Sequence, residues 1–149
     1  MRLMGLDVGD KTIGIAVSDE LGLAAHPLTV VRRTGSVKKE IAEVLHIAEE
    51  KSVTEIVVGK PLMMDGSVGI QAEKVAAFVE AVRRRTKIPV VEWDERLTTM
   101  EVERILLDAD ESRARRKQVI DKMAAAVMLG AYMNRQQYAR REVTDEAPE

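Results

Sequence analysis

Polar and apolar residues follow two patterns along this chain, one typical of buried strands and one typical of amphipathic helices. Short continuous apolar runs, bounded by glycine or polar residues, predict five strands. These predicted strands cover Arg2–Val8, Thr12–Ser18, Ala25–Arg32, Glu55–Val58 and Pro89–Trp93. Pro27 lies near the start of the third run, which an edge strand tolerates because proline has no N–H to donate to a neighbour.

Apolar residues that recur every three or four positions predict helices. The predicted helices cover Ser36–Lys51, Ile70–Arg85 and Lys117–Gln137. A further helix is expected to begin at Thr98, where Glu101 completes a capping box. Polar stretches at Leu62–Gly69 and Ala109–Arg116 are expected to be loops. Three successive strands followed by alternating helices and strands predict an α/β fold, with a mixed five-stranded sheet and helices on both faces.

Length and composition indicate one globular domain. The chain has 149 residues, of which 46% are hydrophobic and 32% are charged, a balance typical of folded proteins. We assign residues 1–138 to the domain and 139–149 to a flexible acidic tail. The absence of cysteine excludes disulfides, zinc–thiolate sites and a cysteine nucleophile. Since we find no basic-then-apolar leader and no apolar stretch of membrane-spanning length, we expect a cytoplasmic protein without a membrane partner.

The net charge of −2 conceals an uneven distribution. The last nine residues carry four acids and one base, which leaves 22 bases against 21 acids in the rest of the chain. The bases also cluster, at Arg32-Arg33 with Lys38-Lys39, at Arg83-Arg84-Arg85 with Lys87, and at Arg113, Arg115, Arg116 and Lys117. Such runs are often solvated faces. A substrate-facing role is favoured for the last run, because it immediately precedes Asp121 and a basic patch can bind phosphates.

Isolated carboxylates stand where the apolar pattern ends. Asp7 ends the apolar run of the first strand, Asp94 and Glu95 follow the fifth strand, and Asp121 lies on the apolar face of the last helix. A carboxylate near a core costs free energy unless something pairs it, and carboxylates that converge can hold hard divalent cations. Adjacent residues at a strand end point in different directions, so only one of Asp94 and Glu95 is expected to be a direct ligand. Its neighbour would pair with Arg96 or another base.

Two glycine-containing segments are candidates for phosphate contacts. In the segment from Asp7 to Gly14, a narrow turn would allow backbone amides and Lys11 to approach a phosphate; an ordinary hairpin turn is the alternative. Lys60, in Gly59-Lys60-Pro61, could shape a substrate loop or belong to a structural turn. For Asp121, attraction to the helix dipole is the structural alternative, although a dipole partner needs no apolar face.

Four motifs in this order resemble the YqgF/RuvX family of RNase H-like nucleases, which are related to Holliday junction resolvases. The motifs are Asp7-Val-Gly-Asp-Lys-Thr-Ile-Gly-Ile-Ala-Val-Ser-Asp19, Val58-Gly-Lys-Pro61 with Met64-Asp-Gly66, Asp94-Glu-Arg-Leu-Thr-Thr99 and Lys117-Gln-Val-Ile-Asp-Lys-Met-Ala-Ala125. The resemblance extends over about residues 1–138, and Thr12 stands where the family often has arginine. It implies an RNase H-like fold in which Asp7, Glu95 and Asp121 are catalytic metal ligands for Mg²⁺ or Mn²⁺, with Asp94 as a further candidate. We assign substrate contacts to Lys11, Lys60, Arg96, Arg113, Arg115, Arg116 and Lys117.

The resemblance also implies a role in maturing the 5′ end of pre-16S ribosomal RNA, with resolution of branched DNA as the alternative. We therefore expect a nucleic-acid partner, structured RNA being favoured, and a monomer or weak homodimer; symmetric junction cleavage would need a two-fold dimer. Two other classes remain open. A sugar-kinase-type phosphate binder begins with a similar Asp-x-Gly turn but uses two such domains, and a non-catalytic nucleic-acid-binding module would not need the carboxylates.

Overall fold

The computed structural model describes residues 1–61, 69–94 and 123–136. Its strands are β1 (Arg2–Val8), β2 (Thr12–Ser18), β3 (Ala25–Arg32), β4 (Val53–Lys60) and β5 (Val90–Asp94). Its helices are α1 (Val37–Glu50), α2 (Ile70–Arg83) and α3, the name we give to helical residues 123–136. Most of the predicted loop Leu62–Gly69, the helix expected at Thr98, the loop Ala109–Arg116, the first turns of the predicted last helix and the acidic tail lie outside the described residues.

The first three strands have the predicted bounds, whereas β4 is longer than predicted at both ends. The prediction for β4 stopped at Val58 because Gly59 and Lys60 do not resemble strand residues. In the structure these two residues pair with Trp93 and Asp94 of β5. Pairing with a neighbouring strand therefore outweighs their weak intrinsic preference for extended structure.

The sheet has the strand order β3-β2-β1-β4-β5. β2 is antiparallel to β1 and β3, while β1, β4 and β5 are parallel to one another. The carboxyl ends of the three parallel strands consequently meet at one edge of the sheet, next to the turn between β1 and β2. We call this the carboxyl edge; it comprises the ends of β1, β4 and β5 and the turn residues Gly9–Lys11.

Helices cover both faces of the sheet, which confirms the predicted arrangement. One face packs against α1 and α2 through a buried cluster that includes Met4, Leu6, Val8, Ile41, Val44, Val75, Val79 and Val82. The other face packs against α3 through Leu3, Ala16, Val57, Ala125, Met128, Leu129, Tyr132 and Met133. We refer to these as the α1/α2 face and the α3 face. No helix in the described ranges is long and apolar enough to cross a bilayer.

Helix α3 lies directly on Gly5 of β1. A Cβ atom built at Gly5 would be 2.9 Å from the Cβ of Leu129 and 3.1 Å from the carbonyl oxygen of Ala125. One turn further along α3, the Tyr132 hydroxyl donates to the carboxylate of Glu55 near the start of β4. Since Glu55 pairs with Leu3, α3 runs antiparallel to β1. Its first residues therefore point toward the carboxyl edge.

Tyr132 anchors the other end of α3. Its ring makes an edge-to-face contact with Trp93 of β5, with the ring centroids 5.5 Å apart. Burial, together with the hydrogen bond to the Glu55 carboxylate, raises the pKa of Tyr132 to about 12. The hydroxyl thus stays protonated and remains a donor near neutral pH.

Candidate functional site

Asp7 lies on the α3 face of the sheet, one residue before β1 ends, and is half-buried. Its partner on β2 is Gly14. On the other side Leu6 pairs with Val58, and continuing that register by one residue places Gly59 beside Asp7. Because both cross-strand neighbours are glycines, no side chain from a directly opposite residue crowds this carboxylate.

The turn after Asp7 is held by short contacts. The Gly9 amide donates to the Thr12 carbonyl at 2.8 Å, and a Cβ atom at Gly9 would lie only 3.2 Å from that carbonyl oxygen. From α2, Gln71 donates to the Val8 carbonyl at 3.5 Å. Lys74 of the same helix pairs with Asp10 at 3.5 Å. The hairpin interpretation and the functional one are compatible, since this turn is a tight hairpin that also carries the exposed Lys11 at the carboxyl edge.

An ion pair between the partly buried Arg33 and the buried Glu40 supports the same turn from the α1/α2 face. Arg33 Nε lies 3.0 Å from Oε1 of Glu40, whose side chain is only 1% exposed. The amides of Thr34 and Gly35 donate to the other oxygen of Glu40 at 2.9 and 3.2 Å. Arg33 Nη1 also donates to the Gly9 carbonyl at 2.9 Å.

Burial pushes the pKa of Glu40 upward, but the amide hydrogen bond from Thr34 and the Arg33 guanidinium outweigh it and leave the pKa below its usual value. The sequence interpretation missed this pair. It grouped Arg33 with Arg32 in one basic cluster and gave Glu40 no role. In the structure Val37 is 41% exposed, while Glu40 is buried.

At the ends of β4 and β5, Lys60 and Asp94 are register partners. Val90 packs on the α1/α2 face and Trp93 on the α3 face, so strand alternation places Asp94 on the α1/α2 face, away from Asp7. Lys60 forms an ion pair with Glu92, with 3.6 Å between Nζ and Oε2. The Lys60 ammonium thus has a carboxylate partner in this structure, and its contact with substrate stays a prediction.

Within the described ranges, no group of three or more His, Asp or Glu side chains is close enough to hold a metal ion. Two of the three predicted ligands, Glu95 and Asp121, lie outside those ranges, as does the predicted substrate-contact group of Arg96, Arg113, Arg115, Arg116 and Lys117. Their roles stay predictions. What the structure does describe is the position of Asp7, its glycine neighbours and the direction of α3.

Solved structures with the same arrangement of elements define the fold class. A fowlpox virus resolvase in complex with Holliday junction DNA matches with a TM-score of 0.53 at 12% identity, covering 91% of this chain and 99% of that one. RuvC from Thermus thermophilus in complex with a Holliday junction substrate matches with a TM-score of 0.52 at 18% identity, covering 89% of this chain and 96% of that one. These matches establish the fold, which is the RNase H-like fold of resolvases.

Sequence comparison then identifies the family. The profile of the RuvX family, described as Holliday junction resolvase, matches residues 1–135. A protein of Desulforamulus reducens is 52% identical over 134 residues, covering 90% of this chain and 97% of that protein. One of Symbiobacterium thermophilum is 53% identical over 134 residues, covering 90% and 92%. Both carry the name "Putative pre-16S rRNA nuclease". This chain belongs to the RuvX family.

Proposed function

We propose that this protein is a divalent-metal-dependent nuclease that hydrolyses phosphodiester bonds of RNA at the 5′ end of pre-16S ribosomal RNA. The observation that carries the proposal is the position of Asp7. It lies at the carboxyl edge on the α3 face, with a glycine beside it on each neighbouring strand. The N-terminal end of α3 points toward the same edge. The names of the relatives supply the substrate class.

The packing of α3 on β1 supports a site shared by Asp7 and Asp121. Ala125 lies over Gly5. Asp7 is two residues beyond Gly5, or about 7 Å along a strand. In the helix predicted over Lys117–Gln137, Asp121 would precede Ala125 by four residues, or about 6 Å. Because α3 is antiparallel to β1, both steps would lead toward the carboxyl edge and would have nearly the same length.

Strand alternation on β5 favours Glu95 over Asp94 as the third ligand. Trp93 packs on the α3 face, and Asp94 follows it with the opposite orientation. If the extended backbone continued by one residue, Glu95 would again be in phase with Trp93, and therefore with the face of Asp7. Asp94 would then be the member of the Asp94–Glu95 pair that faces a basic residue and not the metal, since its register partner is Lys60.

Carboxylate oxygens are the ligands that Mg²⁺ and Mn²⁺ prefer, and Asp7, Glu95 and Asp121 would hold such ions. Bound there, the metal would supply an acidified water as nucleophile and stabilise the leaving oxygen. The protein's own contributions are orientation and charge. The glycines beside Asp7 leave room for a phosphate, and the exposed Lys11 at the turn offers it a cation. The protein needs no nucleophile of its own, and the chain contains no cysteine.

Branched DNA is the alternative substrate, favoured by the fold shared with two junction-bound resolvases. Both substrates present the same phosphodiester chemistry, so the carboxyl edge alone does not separate them. Symmetric cleavage of a four-way junction would need two copies related by a two-fold axis. Cleavage of the RNA needs only one.

A cleavage panel tests the proposal. The protein is incubated with an end-labelled pre-16S rRNA 5′ fragment, an unrelated RNA of equal length and a four-way DNA junction, each with Mg²⁺, Mn²⁺ or EDTA. We expect metal-dependent cleavage of the pre-16S fragment. Cleavage of the junction alone would favour the alternative, and no cleavage of any substrate with either metal would refute the nuclease assignment.

Variants test the ligand set in the same assay. Asp7→Asn, Glu95→Gln and Asp121→Asn should each abolish cleavage while RNA affinity stays largely intact, since basic residues provide most phosphate contacts. Asp10→Asn is the matched control, because Asp10 lies in the same turn but pairs with Lys74 on α2. Full activity of Asp7→Asn at saturating metal would remove Asp7 from the ligand set.

A further inference from the structure

The ion pair of Arg33 and the buried Glu40 has no part in the proposed chemistry, yet Arg33 contacts the turn that follows Asp7. Besides the Gly9 carbonyl, the backbone of Arg33 reaches this turn directly, since its amide donates to the Lys11 carbonyl at 2.9 Å. Arg33 therefore holds the turn at two carbonyls, Gly9 and Lys11. Asp7 is two residues before the first of these.

Three groups fix the guanidinium of Arg33 itself. Glu40 accepts from Nε at 3.0 Å, the Gly9 carbonyl accepts from Nη1 at 2.9 Å, and the ring of Phe78 lies under the guanidinium with 5.5 Å from Cζ to the ring centroid. Phe78 belongs to α2 and is 3% exposed. The guanidinium thus joins α1, α2 and the β1–β2 turn at a single point.

We propose that Arg33 is a positioning residue of the nuclease site, which holds the turn between Asp7 and Lys11 in place from the α1/α2 face. The inference rests on the proposed function, because it assigns Asp7 and Lys11 to the reacting site. Glu40 acts one step further away, by fixing the orientation of Arg33. Both residues act through the turn and contact neither metal nor substrate.

Only an arginine can make this set of contacts. Its planar fork donates in two directions at once and stacks on an aromatic ring, whereas a lysine ammonium is a single point charge on a flexible stem. The neighbouring Arg32 contrasts with Arg33. Arg32 pairs in register with Thr12 and is exposed, and strand alternation places it on the α3 face. The two adjacent arginines carry the same charge but lie on opposite faces of the sheet. The contacts of Arg33 therefore follow from its position and not from its charge alone.

The test compares Arg33→Lys with the parent protein and with Arg84→Lys. Arg84 is an exposed residue at the C-terminal end of α2, far from the carboxyl edge, and controls for the arginine-to-lysine change itself. We expect kcat for RNA cleavage to fall about 10- to 100-fold in Arg33→Lys, as small misplacements of reacting groups do. KM should change less than kcat, because Lys11 is the one assigned phosphate contact on this turn and the others lie elsewhere in the chain.

Three further readouts separate positioning from mere stabilisation. The Mg²⁺ concentration for half-maximal rate should rise in Arg33→Lys, and the Gly9 amide, protected by its hydrogen bond to Thr12, should exchange faster while the centre of β1 does not. Added guanidinium should restore part of the activity of Arg33→Ala. Phe78→Leu keeps the ion pair and removes only the ring contact, so it can be measured even if Arg33→Lys does not fold. Its effects on kcat and on the Mg²⁺ requirement should be smaller than those of Arg33→Lys and in the same direction.

A lowered melting temperature in Arg33→Lys, with kcat and the Mg²⁺ requirement unchanged well below that temperature, would overturn the proposal. If the parent cleaves no substrate, the nuclease assignment fails separately. In that case, Gly9 amide exchange and Mn²⁺-induced broadening of the Asp7 resonances still test whether Arg33 holds the turn in place. Identical exchange and identical broadening in parent and Arg33→Lys would show that Arg33 does not hold it.

Discussion

Replacing Gly5 by alanine should displace α3 from the sheet. The added Cβ would lie 2.9 Å from Leu129 Cβ, 3.1 Å from the Ala125 carbonyl oxygen and 3.4 Å from Met128 Cε. Ordinary van der Waals contacts are 3.4–4 Å. Leu129 Cβ must therefore retreat by at least 3.4 − 2.9 = 0.5 Å. Met128 Cε ends a flexible side chain and can swing away, but the other two atoms are fixed to the helix, so α3 has to shift as a unit.

The expected loss of stability is moderate. Overpacking of a well-filled core costs about 1–3 kcal/mol. The cost here belongs to the upper half of that range, about 2–3 kcal/mol, because two of the three contacted atoms cannot move without the helix. Replacing a glycine within a strand recovers about 0.5–1 kcal/mol of backbone entropy. The net destabilisation is then about 1–2.5 kcal/mol, or a melting temperature lower by roughly 2–10 °C for a chain of this size. Because the N-terminal end of α3 points to the carboxyl edge, cleavage activity per folded molecule should fall as well.

Urea unfolding and a thermal melt measure the stability change, and Gly130→Ala is the matched control. Gly130 lies on the same helix, and a Cβ atom there would meet nothing within 4 Å. Alanine favours a helix over glycine by about 1 kcal/mol, so this variant should be more stable than the parent. A Gly5→Ala protein as stable as the parent would show that α3 is not seated on β1 at Gly5.

Two further predictions concern charge. Neutralising Arg113, Arg115, Arg116 and Lys117 together should weaken RNA binding and reduce the slope of log K against log salt by roughly 0.7–0.9 for each lost phosphate contact; a salt titration giving lines of equal slope would make the run a solvated face. Glu40→Gln should destabilise the fold by about 2–3 kcal/mol near neutral pH, because it leaves the partly buried Arg33 guanidinium without its carboxylate partner. Since the folded-state pKa of Glu40 lies below its usual 4.5, the difference from the parent should be complete above that value and shrink as pH falls through the folded-state pKa. Urea unfolding over this pH range measures it, and a difference independent of pH would refute the role of the charge.

Local sequence patterns were sufficient to predict the elements whose own residues determine whether they form a strand and where it ends. The apolar runs of β1 and β2 predicted strands, with bounds that the structure confirms. Pro27 correctly indicated that β3 is an edge strand. The position of Asp7 at the end of β1 was equally visible, because a charge that ends an apolar run is a local signal.

Only the tertiary structure decided which face each polar residue occupies and what it contacts. Arg32 and Arg33 carry the same charge, and Glu40 resembles any acid in the first turn of a helix. The phase of β3 turns one arginine toward the α3 face and the other toward Glu40, and residues from α1, α2 and the β1–β2 turn then meet at Arg33. The same holds for Gly5, which reads as part of an apolar run until α3 packs on it. These contacts join residues that are far apart in sequence and meet only in the folded chain. A local sequence pattern contains no information about such partners, so it cannot predict these contacts.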